Sequence, residues 1–256
     1  MKRILAFADR NRKELLRDPL SYIFCLAFPL IMLAVMTLVN SSIPKEAGMT
    51  VFRIDNLSAG VAIFGQTFVM LFTGLTVSKD RSGAFLTRMY VTPMTSSDFT
   101  LGYILPMLVI SLCQSALIYA MSFVISLIVG YPLNLLGLLC SWLTLIPSAV
   151  MFIGFGLLFG TLFGEKSAPG ICSIIISLGS FLGCIWFDAD STGGIMLKIC
   201  KALPFYYCTR SARSAVRLDL SFSGWGGPLL IVVLCAAVIT TVSILACRAR
   251  MKADLS

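Results

Sequence analysis

The chain has 256 residues, of which 58% are hydrophobic and 12% charged, with a mean hydropathy of +0.93 and a formal net charge of +8. That composition excludes a soluble globular domain and a disordered charged tail, and it places the chain in the polytopic membrane class. Histidine is absent, so a His-based metal centre or catalytic triad is excluded as well.

Residues 1–18 predict a helix lying on the membrane surface rather than a cleavable leader, because the charged stretch is long and no small-residue cleavage site follows the apolar run. At 100° per residue Ile4, Leu5, Ala8, Leu15 and Leu16 share an arc, and Lys2, Arg3, Arg10, Lys13 and Arg17 cluster opposite. Arg12 interrupts the apolar arc, and a plain charged N-terminus that only sets topology is the other reading.

Uncharged stretches then recur along the chain: Pro19–Pro44, Asn56–Ser78, the run between Asp98 and Glu165, Ser167–Phe187 and Leu220–Cys247. A hydrocarbon core of about 30 Å needs about 20 helical residues, so the long run holds two crossings joined by a turn at Gly130–Asn134. Six spans are predicted, at about 20–40, 57–78, 101–129, 135–163, 168–187 and 229–247, in one all-α membrane domain covering residues 1–256. Pro29, Pro106 and Pro147 fall inside spans and predict kinks.

Placing the N-terminus, the second and fourth loops and the C-terminus on one side collects 13 of the 20 Lys and Arg residues there, so both termini are predicted to be cytoplasmic. The positive charge is then an orientation and headgroup signal, not a nucleic-acid one. Seven of the nine cysteines lie in or at the ends of spans as small packing residues, whereas Cys200 and Cys208 share an outer loop where a bridge is one option.

No span carries the ionisable side chains that ion-coupled transporters use. The nearest approach to a nucleotide-binding loop, Gly164-Glu165-Lys166-Ser167, lacks the Gly before the Lys. Any uphill movement therefore draws on another polypeptide, and this chain is expected to bind no cofactor, metal or nucleic acid and to catalyse nothing.

The second cytoplasmic loop is the most specific stretch. It carries Asp80, Arg81, Gly83, Phe85, Leu86, Arg88, Met89, Thr92 and Pro93, with Phe85, Leu86, Met89 and Tyr90 on one apolar helical face and Pro93 ending it. That shape suits a groove on a partner or the lipid surface. Asp80, Gly83, Leu86, Thr92-Pro93-Met94 and the downstream Leu101-Gly102 resemble the loop of the ATP-binding-cassette type-2 permease family, with Ala84 and Tyr103 replacing the usual Thr and Lys. Lys13–Pro19 and Phe28-Pro29-Leu30 look like the entry of its bacterial drug and antimicrobial-peptide branch, and Leu203–Tyr207 is similar to its re-entrant outer helices.

The resemblance implies two permease chains, identical or homologous, a separate cytoplasmic ATPase carrying ATP and Mg, and a pathway lined by the second and fifth spans. Candidate interface and pathway residues are Phe64, Gln66, Phe68 and Phe72 in span two and Ser173, Ser177, Ser180 and Phe181 in span five. Gly170, Ser173, Ser177, Ser180 and Cys184 form a small-residue stripe for close helix contact, and Gly156, Gly160 and Gly164 form another in span four. Arg210, Arg213 and Arg217 align on one basic outer face that meets lipid phosphates or an anionic cargo. The expected function is export of an amphiphilic compound, lipid or peptide, with a glycan exporter and a non-transport sensor or immunity protein as alternatives.

Overall fold

The computed structural model describes residues 2–44, 50–83, 85, 95–188 and 193–255, and among these the chain is all helical. Helix α1 spans Lys2–Arg17 and α2 spans Pro19–Ser42. Helices α3 (Ile54–Ser82), α4 (Ser96–Val129) and α5 (Leu135–Leu162) follow. Then come α6 (Ala168–Leu182), α7 (Gly194–Ala202), α8 (Pro204–Val216) and α9 (Gly227–Leu255), the last entered through a π turn at Phe222–Gly226. Helices α2 to α5 and α9 are long and apolar enough to cross a membrane. The end of the bundle that carries α1 and the C-terminus is called proximal below, and the opposite end distal.

Span five differs from the sequence expectation. Helix α6 has 15 residues, about 22 Å of rise, and stops at Leu182 instead of Phe187. The distal half of its path is taken by α8, which lies against α5 from Gly137, where the Val216 carbonyl approaches, to Phe152, whose ring stacks on Phe205 at 5.7 Å. Those contacts span about 22 Å of α5, so α8 is a re-entrant wedge. It survives at that depth because its buried face is covered by protein and Ser141 Oγ donates to the Ala212 carbonyl at 2.9 Å.

Helix α3 is the hub: 83% of its apolar window is buried, against 17% for α2 and for the final span. It meets α5 along a seam of glycines. A Cβ on Gly160 would lie 2.6 Å from the Gly74 carbonyl oxygen, and Gly156 sits as tightly on the Met70 carbonyl. Gly164 departs from the predicted stripe, because it lies beyond α5, where a Cβ would meet nothing within 4 Å among the described residues.

Helix α1 is docked on protein through a different face from the one its apolar residues suggest. Phe7, Ala8, Asn11 and Leu15 are buried, while Leu5 and Leu16 remain exposed. The rotation follows from α4: Asn11 Nδ2 donates to the Gly102 carbonyl at 3.1 Å, and the Phe7 ring lies on Gly102 and edge-on to Tyr103 at 5.0 Å. A satisfied polar residue replaces a hydrophobic one in the contact stripe, which a hydrophobic period does not register.

The three prolines sit in helices that continue through them. Upstream of Pro29 the chain widens into a π turn at Ile23–Ala27, which accommodates the missing amide and ring bulk. None of the nine cysteines is in a disulfide: Cys200 packs with Cys184 and Tyr206, while Cys208 belongs to the main core.

Candidate functional site

Two buried aspartates mark the ends of α3, and each gathers polar side chains around it. At the proximal end Asp80, 4% exposed, receives both ends of the Arg10 guanidinium at 2.6 and 2.8 Å and the Tyr103 hydroxyl at 2.7 Å. Asp80 thus ties α1, α3 and α4 together. Burial works against the charge on Arg10, but the hydrogen bond and charge of Asp80 outweigh it and hold Arg10 above the ordinary guanidinium value. The guanidinium also lies 4.1 Å from the centroid of the Phe85 ring, which in turn stacks on Phe7 at 6.4 Å.

Around that clamp the end of α3 is fixed from several sides. Gly83 closes α3, Arg81 Nη1 donates to the Thr161 carbonyl at 2.6 Å, and Ser82 donates to Glu165 at 2.7 Å. Asp98 completes a capping box with Thr95 at the start of α4. Leu86, Arg88, Met89, Thr92 and Pro93 lie outside the described residues. Beside the clamp a groove of about 880 Å³ opens between α1, the start of α2 and the end of α3. Asp9, Lys13, Glu14, Arg17, Lys79 and Glu165 line its mouth with balanced charge, and Phe72 and Leu75 lie within.

The span-two candidates divide by helix face. Gln66 is fully buried toward α5, donating to the Leu145 carbonyl at 3.1 Å and accepting from Ser148 at 2.7 Å, so it is a core residue of this chain and not a surface one. Phe64, Phe68 and Phe72 face α2, where Phe24 and Phe28 cover them in a ladder of ring contacts, such as Phe28 to Phe68 at 5.3 Å. On α6, Ser173, Ser177 and Phe181 are exposed whereas Ser180 is buried. The two exposed serines spend their hydroxyls on their own helix, donating to the carbonyls of Pro169 and Ser173. Of the predicted stripe, Gly170, Ser173 and Ser177 form a smooth, open face, whereas Ser180 and Cys184 are buried, the latter beyond the end of α6.

At the distal end Asp55, 3% exposed, is engaged by Arg53 at 2.7 Å and by Arg217 at 3.1 Å. Arg217 also donates to Asn56 Oδ1 at 2.7 Å. Arg213 donates to the carbonyls of Asn56 and Ile185 at 3.2 and 3.3 Å, and Arg210 to the Tyr206 hydroxyl at 2.9 Å. The predicted basic face is thus aligned as expected on α8, but it turns toward the chain and lines a pocket instead of presenting an outer surface. Arg10, Asp55 and Asn56 were not singled out as site residues by sequence reasoning. The usable signal was that Asp55 and Asp80 are the only carboxylates within α3, one at each end.

A family model for ABC-2 type transporters matches residues 2–217, from α1 through the whole of the re-entrant wedge. The chain belongs to the ABC-2 type transporter family. It is accordingly a multi-pass membrane protein and the permease component of an ABC transporter, the transmembrane part and not the catalytic one. Membership implies an ATPase partner. No curated protein matches the chain significantly. Tyr103, one of the two positions that depart from the resemblance, supplies the phenol that donates to Asp80 in this ABC-2 permease.

Proposed function

We propose that this permease works as a dimer with a separate cytoplasmic ATPase and exports an amphiphilic compound, lipid or peptide, with its proximal end in a bacterial cytoplasm. The observation that carries this reading is the clamp on Asp80. A push on the loop that follows Gly83 reaches Phe85, Arg10 and Asp80 through direct contacts, and Asp80 belongs to the helix around which the rest of the bundle packs. Force delivered there moves α1, α3 and α4 together.

The proximal groove supports an amphiphilic cargo, since balanced charges at its mouth suit a polar headgroup and the Phe72 and Leu75 side chains suit a tail. The exposed Ser173, Ser177 and Phe181 face of α6 suits a second copy of the chain, because small residues let helices approach closely in lipid. ATP and Mg then reside on the partner.

The test is co-purification with the ATPase partner, together with cargo-stimulated ATP hydrolysis in proteoliposomes. Leu86→Asp should abolish stimulation and weaken co-purification about tenfold or more, as loss of a buried anchor does. Lys45→Asp in the first distal loop should change neither. Normal stimulation in the Leu86 variant would remove the coupling role from this loop.

A further inference from the structure

Among the described residues the pocket at the distal end gathers more arginines than carboxylates. A pocket of about 240 Å³ lies between α8, the start of α3 and the turn after α6, and Arg210, Arg213 and Arg217 all line it. Among the described residues Asp188 is the one acid in its wall. Asp55, beneath it, already serves two arginines, Arg53 and Arg217. Among the described residues Arg210 and Arg213 donate only to neutral oxygens, a phenol and two carbonyls.

Three guanidinium groups at steps of three and four on one helix repel one another, and partial burial raises the cost because solvent screens them less. Such an arrangement is stabilised when an anion enters, and the planar fork of Arg matches a phosphate oxygen pair in a way an ammonium does not. Each of the three side chains retains N–H groups beyond those used internally, and Asn56, Thr209 and Ser214 add polar groups around the same space. The volume accepts a headgroup and excludes a folded or polymeric ligand.

We propose that this pocket binds a phosphate group, carried by an acidic lipid headgroup or as free phosphate, with Arg210, Arg213 and Arg217 as its ligands. The inference is independent of what the permease exports, and its test involves no ATPase, so its failure would leave the proposed transport function intact. Detergent-solubilised full chain is titrated by native mass spectrometry with dioctanoyl phosphatidic acid, dioctanoyl phosphatidylcholine and inorganic phosphate.

The acidic lipid should bind about tenfold tighter than the zwitterionic one, and Arg210→Gln should weaken it about tenfold, the cost of one charge-assisted contact. Arg217→Gln, at the exposed end of the same face, should weaken it too and covers the case in which the Arg210 variant fails to fold. Arg12→Gln, on the surface of α1 beside Asp9, should leave the affinity unchanged. Competition by millimolar inorganic phosphate identifies the phosphate alone as sufficient, and its absence identifies the lipid headgroup; both outcomes uphold the site. Equal affinity for the two lipids, or an equal loss in the Arg12 and Arg210 variants, would overturn it.

Discussion

Helix α3 ends in a buried aspartate at both sides of the bundle, yet the two ends are built for different purposes. Around Asp80 one guanidinium and one phenol meet the carboxylate, and Glu14, 2.8 Å from the same guanidinium and 3.7 Å from Lys79, completes a balanced set of charges. Around Asp55 two guanidinium groups share one carboxylate, with Arg210 and Arg213 stacked above on neutral partners. A closed polar network resists rearrangement and transmits displacement, whereas an over-charged one leaves donors for a ligand. The proximal end is thereby suited to mechanical coupling and the distal end to recognition, on the same helix.

The largest effect is expected from Asp80→Asn. It leaves the Arg10 charge beside Phe85 with the partly exposed Glu14 as its remaining carboxylate and should cost about 2–4 kcal/mol, less than a fully buried pair because Arg10 is about a third exposed. Thermal unfolding of the detergent-solubilised chain measures this, and a midpoint unchanged from wild type would show that Asp80 is not the tie between α1, α3 and α4.

Asp55→Asn should be milder, about 1–2 kcal/mol, since Arg53 and Arg217 are 38% and 46% exposed and keep access to solvent. It should also raise the affinity for phosphatidic acid severalfold, because it removes negative charge from beneath the pocket. Weaker lipid binding in that variant would mean that Asp55 acts chiefly to orient Arg217, and the contrast between the two ends would fail. The same titration on Asp80→Asn should show no change.

The smallest effect belongs to Tyr103→Phe, which removes one hydrogen bond to a carboxylate that keeps its bidentate arginine. A loss of about 1–2 kcal/mol is expected. A drop as large as that of Asp80→Asn would identify the phenol, not Arg10, as the element that holds the clamp shut.

The sequence by itself determined the class of this protein, the positions of five long spans, the family and the existence of a re-entrant outer segment. These follow from one-dimensional quantities: a crossing needs about 20 uncharged residues, and a loop motif is read in order. Gly156 and Gly160 were legible as packing residues for the same reason, since small residues at a spacing of four share a face.

Only the tertiary structure decided which face of each helix is occupied and by what. Gln66 and Phe68 are two residues apart and look alike as pathway candidates, but a helix separates them by about 200°, toward α5 and toward α2. Leu5 stays exposed while Asn11 is buried, because the Gly102 carbonyl offers a partner that hydropathy does not count. Span five ends at Leu182 because α8 occupies the distal half of its path, and the arginines of α8 turn inward because Asp55 and Asn56, some 160 residues earlier in the chain, wait at the start of α3. Periodicity reports what a helix can hide, and the neighbour that hides it is fixed by three-dimensional packing alone.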